Sequence, residues 1–229
     1  MIGEYKLNKI YCEDSYEAIK KIPDKSIDLT FTDPPYGINM DKGTSGFGKS
    51  KNKTYNNNWD SEIPTKEMFD EILRVSKDVI IFGGNYFAHL LPQSTHWIVW
   101  DKKGHIEFEN PFSDCELLWT NLELKTVKKY TNIQQGFLND GDERIHATQK
   151  PLRLVTNILK DYSKPGYIVA DFYSGSGTTA VACNDLGLDF IAFEKDAEIY
   201  KKSLQRINGI NASGQTSIFT DFSKLGVRE

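Results

Sequence analysis

Cysteine is scarce in this chain. Cys12, Cys115 and Cys183 are odd in number and far apart, which argues against a disulfide framework and for a reducing, cytoplasmic setting. Histidine is scarce too. His89, His96, His105 and His146 form no metal-ligand spacing with the cysteines, so no metal is expected. No apolar run is long enough to cross a bilayer, and the opening MIGEYKLNKIYCED lacks the apolar core of a signal peptide. No membrane partner is expected. A basic excess is also missing: the formal net charge is −4 and the sequence pI is near 5.7, which alone disfavours a nucleic-acid partner.

What is present fits a globular protein. The 229 residues are 39 % hydrophobic and 26 % charged, enough for a real core, and the expectation is a single domain over 1–229. Charge is unevenly spread. Lys42, Lys49, Lys51 and Lys53 stand against Asp41 in one stretch, and Lys125, Lys128 and Lys129 cluster in another. An acidic body with basic loops follows.

Strand-like and helix-like segments alternate. NKIYC reads as a strand, SYEAIKKI as a helix and SIDLTFT as a strand. A Gly/Lys/Asn/Ser-rich segment over 40–58 has no apolar periodicity and predicts a mobile loop, long enough to be functional. PTKEMFDEILRVSK predicts a helix with Met68, Phe69, Ile72 and Leu73 on one face. DVIIFGG, NYFAHLL and HWIVWDK then predict strand, helix and strand. The 101–145 region is polar and aromatic, with short strand-like pieces in CELLWT and TVKKY, and predicts an insertion on the scaffold. The regular alternation resumes with helix PLRLVTNILKDY, strand YIVADF, helix TTAVACNDLG, strand DFIAFE and helix AEIYKKSLQRIN. The whole predicts an α/β fold with a parallel sheet.

DFYSGSGTTA follows a predicted strand and opens a predicted helix. Gly175 and Gly177 permit a tight turn, and the helix N-terminus offers unpaired N–H groups. Glu194 ends the next strand, where a carboxylate can bind ribose hydroxyls. Gly175, Gly177 and Ala180 also satisfy a G-x-G-x-x-A pattern, so an NAD(P)-dependent oxidoreductase is one reading. Asp171, immediately before the turn, favours S-adenosylmethionine instead. A carboxylate suits a cationic amine or sulfonium better than a pyrophosphate.

A second acidic strand end lies in FTDPPYGINM. Asp33 closes an apolar run, and Pro34 and Pro35 stiffen the chain just after it. Strand carboxyl ends of an open α/β sheet share one rim, so this stretch and the glycine turn should face one site. An exocyclic amine of a nucleobase is a poor nucleophile, because its lone pair is delocalised. A carboxylate and a rigid carbonyl, each accepting one N–H, favour a more tetrahedral nitrogen. Tyr36 offers a flat face for stacking the base. A paired base must first be flipped out, at a few kcal/mol.

This stretch resembles the catalytic motif of the DNA amino-methyltransferases, (Asp/Asn/Ser)-Pro-Pro-(Tyr/Phe), here Asp33-Pro34-Pro35-Tyr36. DFYSGSGTT resembles their S-adenosylmethionine loop, which implies cofactor contacts at Asp171, Phe172, Ser174, Gly175, Ser176, Gly177 and Thr178. HATQKP resembles the preceding motif and adds His146 and Lys150. Asp14 matches an acidic residue near the cofactor adenine, Glu194 the ribose-binding carboxylate, and Asp33 lies beside both ligands. The loop opens Asp-Phe-Tyr where the family usually has Asp-Pro-Phe. Catalytic motif first and cofactor loop last is the beta-class order, a circular permutation of the Rossmann-like methyltransferase sheet.

The resemblance implies methyl transfer to N6 of a flipped adenine, since Asp33 stands where N4-cytosine members more often have serine. The N4-cytosine reading stays open. C5-cytosine chemistry is set aside because no cysteine follows a proline. DNA is the implied partner, in a restriction–modification setting, with Lys42, Lys49, Lys51, Lys53, Lys128 and Lys129 as candidate contacts. The 101–145 region is the candidate for target recognition. It is small, so a short site, or help from a second subunit in a homodimer, is expected.

Overall fold

The computed structural model describes residues 1–38, 60–105, 113–134 and 149–209. The loop expected over 40–58, its lysines Lys42, Lys49, Lys51 and Lys53, and His146 lie outside the described residues.

Among the described residues, eight strands form one sheet. In chain order they are β1 (Lys9–Tyr11), β2 (Ile27–Thr32), β3 (Ser76–Phe82), β4 (Trp97–Asp101), β5 (Cys115–Thr120), β6 (Val127–Thr131), β7 (Ile168–Asp171) and β8 (Asp189–Phe193). Across the sheet the order is β1-β8-β7-β2-β3-β5-β4-β6. β5 runs antiparallel to both its neighbours, and every other pairing is parallel. The helices are α1 (Ser15–Ile19), α2 (Lys66–Val75), α3 (Gly84–Phe87), α4 (Leu152–Tyr162), α5 (Thr178–Leu186) and α6 (Ala197–Ile207).

The 101–145 region differs from the expected insertion in one respect. It supplies β5 to the middle of the sheet and β6 to its edge. Leu118 and Trp119 of β5 are buried, which a decoration on the scaffold would not require. The helix expected over NYFAHLL is also shorter than its pattern, with one turn at Gly84–Phe87.

Alternation along β3 explains the layering. Val79 and Ile81 face one side, where Met68, Phe69 and Ile72 of α2 and Phe87 of α3 pack. Ile80 and Phe82 face the other, against Leu154, Val155 and Ile158 of α4. Each such fully buried side chain contributes about 1.5–3 kcal/mol. Helices thus cover both faces of a mainly parallel sheet, a Rossmann-like arrangement that leaves the strand ends as the open rim.

Helix ends follow their local chemistry. Thr65 caps α2 by accepting from Met68 N, so Pro64 precedes the cap. Asp196 caps α6 through Glu198 N and Ile199 N. Gly187 closes α5 at φ 65°, as the DLG stretch predicts.

Candidate active site

β2 and β7 are parallel neighbours, so Asp33 and Asp171 reach the same rim. Thr32 Oγ1 donates to Asp171 Oδ1 at 2.8 Å, and Tyr173 N donates to the same oxygen at 3.1 Å. Asp171 is buried. Loss of hydration pushes its carboxyl up to about 6, against the pull of hydrogen bonds from Thr179, Thr32 and Tyr173.

The glycine turn leads into α5. Ser174 N donates to the carbonyl at the end of β8, Phe193 O, at 2.9 Å. Gly177 caps α5 at φ 76°, and a methyl there would lie 3.2 Å from Ser203 Cβ, so only glycine fits without adjustment. A methyl at Gly175 would meet only the Tyr173 carbonyl, at 4.0 Å, among the described residues. Glu194 holds the turn from β8: its Oε2 accepts from Gly175 N at 2.9 Å and its Oε1 from Asp196 N at 2.8 Å. Burial pushes its carboxyl up, and those two donors pull against that.

The other residues expected to meet a cofactor are placed differently from one another. Ser174 Oγ is buried and has no hydrogen-bond partner among the described residues. Ser176 Oγ and Thr178 Oγ1 receive Arg206 of α6, at 3.2 and 2.7 Å. The Phe172 ring is wholly buried and stacked on Phe193, so that side chain belongs to the core. Asp14 is exposed and caps α1 by accepting from Tyr16 N.

Asp33, Pro34, Pro35 and Tyr36 follow β2. The prolines have no N–H to donate, and the next two N–H groups, of Tyr36 and Gly37, both go to Asp60 Oδ1 at 2.7 and 3.0 Å. Asp60 is buried and fixes the exit of the turn. Tyr36 donates its hydroxyl to Asp33 Oδ1 at 2.6 Å. Its ring lies over Gly83, where a methyl would stand 2.3 Å from Tyr36 Cε1. Tyr86 stacks on it, with ring centroids 4.8 Å apart, so one face of Tyr36 is already covered.

A compact charge network surrounds Asp33. Lys150 Nζ donates to Asp33 Oδ2 at 2.6 Å and lies 3.5 Å from Glu116 Oε2. Glu116, on β5, also pairs with Lys102. Side-chain exposure is only 11 % for Lys150, 25 % for Asp33 and 17 % for both Glu116 and Lys102, so these charges depend on one another rather than on water. Burial pushes Asp33 upward; Lys150 opposes this and Glu116 reinforces it. Burial alone would lower Lys150, but Asp33 and Glu116 hold it above the ordinary lysine value. Glu116 is likewise penalised by burial, and Lys150 and Lys102 bring it below the ordinary glutamate value.

Glu116, Lys102 and Asp60 carry no motif and were not among the residues expected at the site. Glu116 had one signal: it shares a strand face with buried Leu118, where a charged side chain needs a reason. Lys128 and Lys129 are exposed on β6, the edge strand, and Lys129 pairs with Asp101 at 3.2 Å. Among the described residues, no group of three His, Cys, Asp or Glu is placed to hold a metal ion, and no helix is long and apolar enough to cross a membrane.

A family model described as DNA methylase, for N6 and N4 enzymes, matches residues 89–205, just over half of the chain. The chain belongs to this DNA methylase family. The matched segment runs through β5, Lys150, the glycine turn and β8. Family membership sets aside the oxidoreductase that the G-x-G-x-x-A pattern left open. The Type II methyltransferase M.HinfI of Haemophilus influenzae is 25 % identical over 249 residues, covering 89 % of this chain and 69 % of that protein. Solved structures share the fold. The M1.HpyAVI–SAM complex has a TM-score of 0.58 at 21 % identity, covering 87 % of this chain and 98 % of that one. The cytosine-N4-specific PvuII DNA methyltransferase has a TM-score of 0.59 at 16 % identity, covering 86 % and 85 %.

Proposed function

We propose that this chain moves a methyl group from S-adenosylmethionine to the N6 amine of a flipped adenine in DNA. The observation that carries the reading is the pairing of Asp33 and Asp171 on adjacent strand ends, bridged by Thr32. One carboxylate can serve the acceptor and the other the donor.

The loop suits the cofactor. Asp171 offers a buried carboxylate to a cationic methionine end, and Glu194 retains lone pairs for ribose hydroxyls beyond its two backbone donors. Ser174 Oγ, unpartnered among the described residues, and the loose surroundings of Gly175, whose nearest neighbour to an added methyl is Tyr173 O at 4.0 Å, leave a polar contact and room for a ligand. When bound, S-adenosylmethionine supplies an electrophilic methyl on a sulfonium. The chain's own residues position the acceptor. Asp33 accepts one N–H of the target amine, and a carbonyl of the proline-stiffened segment accepts the other. Positive charge then develops on that nitrogen beside Asp33, and its proton passes afterwards to Asp33 or to solvent. Alignment of this kind contributes roughly 7–11 kcal/mol.

The single domain over 1–229, its circularly permuted order and a homodimer belong to the same proposal. Lys128 and Lys129, exposed on edge strand β6, support DNA contact there. An N4-cytosine enzyme is the second reading, favoured by the fold shared with the PvuII enzyme. Both targets are exocyclic amines and make the same demand on Asp33. Incubation of mixed DNA with labelled cofactor, then nucleoside analysis, tests both. Label in N6-methyladenine supports the proposal, and label only in N4-methylcytosine replaces it with the second reading.

A further inference from the structure

Lys150 stands where the target amine must arrive. Its Nζ donates to Asp33 Oδ2 at 2.6 Å, as an exocyclic N–H would in the proposed reaction. An ammonium there is a chemical obstacle. It neutralises the carboxylate just where positive charge develops on the acceptor nitrogen, and like charges in a poorly hydrated site repel strongly. Simple removal of Lys150 into the interior is not available, because a buried ammonium without a partner is costly.

Glu116 offers the alternative. Its Oε2 lies 3.5 Å from the same Nζ, so a shift of the Lys150 tip exchanges one carboxylate for the other. Lys102 pairs with Glu116 from its own strand-end position, on Oε1, which leaves Oε2 facing Lys150. Glu116 Oε2 also lies 3.4 Å from the Tyr36 hydroxyl, so the same carboxylate can accept the Tyr36 hydrogen bond as Asp33 turns to the base. The four charges sum to zero in either arrangement, so the exchange moves no net charge into the interior.

We propose that Glu116 is a positioning residue that receives Lys150 when the target amine replaces it on Asp33. This rests on the reading of Asp33 as the acceptor of that amine. Lys150 keeps Asp33 in place until a donor of matching chemistry displaces it. An occupant without an N–H to give, such as a carbonyl edge, gains nothing from the exchange.

The test compares Glu116→Gln, Glu116→Asp, Lys150→Gln and the double variant Glu116→Gln/Lys150→Gln, with kcat, KM for DNA, calorimetric cofactor affinity and melting temperature measured for each. Methyl transfer by the unaltered chain is the control; without it the functional reading falls, and this assignment with it. Given that activity, Glu116→Gln leaves Lys150 on Asp33 and lowers kcat on the order of 100-fold, the scale of a misplaced reacting group, with cofactor affinity unchanged. Glu116→Asp keeps a carboxylate and retains more activity than Glu116→Gln. The double variant has no ammonium to relocate and recovers part of the loss. A Glu116→Gln enzyme as active as the unaltered chain, or a double variant that merely multiplies the two losses, overturns the role of Glu116 while leaving the methyltransferase reading intact. Should Glu116→Gln melt early, the same change made in the Lys150→Gln background and assayed below both melting points decides: a loss of kcat that appears only while Lys150 is present supports the exchange, and an equal loss with Lys150 already replaced overturns it.

Discussion

Thr32 at the end of β2 donates a 2.8 Å hydrogen bond to Asp171 at the end of β7. The two neighbouring strand ends therefore share one polar contact, and the proposed donor and acceptor sites are coupled through it. Replacing Thr32 by Val removes a donor that lowers the Asp171 carboxyl. The midpoint for cofactor binding should then move up by roughly one pH unit, the size of one hydrogen bond to a charged group. Calorimetric titration with S-adenosylmethionine across pH checks this.

Asp171 itself gives a pH dependence with two opposite signs. Its carboxyl titrates at about 6 in the folded chain against an ordinary value of 3.8. A cationic ligand needs the ionised form, so cofactor affinity should fall about tenfold per unit as pH drops below that midpoint. Folding stability runs the other way. The contribution of Asp171 is fully present below 3.8 and is lost as pH rises through about 6. Asp171→Asn should flatten both curves, measured by calorimetry and by denaturant unfolding.

Glu194 has a structural and a ligand-facing task. Its two oxygens accept from Gly175 N and Asp196 N, so Glu194→Gln sets an amide donor against a backbone donor at one of them. A mispaired buried group of this kind costs about 1–3 kcal/mol. Cofactor affinity should fall by one to two orders of magnitude at most, about what that energy allows. Equilibrium dialysis and melting temperature separate the two effects.

Gly83 supports Tyr36 from below. Its φ of 70° and the 2.3 Å approach of a methyl to the Tyr36 ring make Gly83→Ala doubly unfavourable. The variant should lose about 1–3 kcal/mol of stability and most transfer activity while cofactor binding survives. Unfolding curves, filter assays of methyl transfer and calorimetry with S-adenosylmethionine measure the three quantities.

Much of this site was legible in the chain because its parts are local. Asp33-Pro34-Pro35-Tyr36 and the turn from Asp171 to Thr178 each combine a strand end with a rigid or glycine-rich turn, and such patterns occupy a few adjacent residues. Strand carboxyl ends share a rim, which puts both on one side of the sheet. Contacts between distant segments were not legible. The ammonium of Lys150 lies on Asp33, 117 positions away, and nothing in HATQKP names that partner. Asp60 fixes the Tyr36 and Gly37 amides from beyond a long connection, and nothing around it marks that task. The antiparallel entry of β5 between β3 and β4 was hidden for a similar reason. A short polar and aromatic stretch states its period but not its neighbours.

Asp33 is the residue whose loss separates methyl transfer from cofactor binding. Asp33→Ala and the unaltered chain should be incubated with tritiated S-adenosylmethionine and mixed DNA, with cofactor affinity measured alongside. N6-methyladenine is expected from the unaltered chain, none above background from Asp33→Ala, and cofactor binding by both. An Asp33→Ala variant that binds the cofactor and still methylates adenine at the full rate would contradict the role of Asp33.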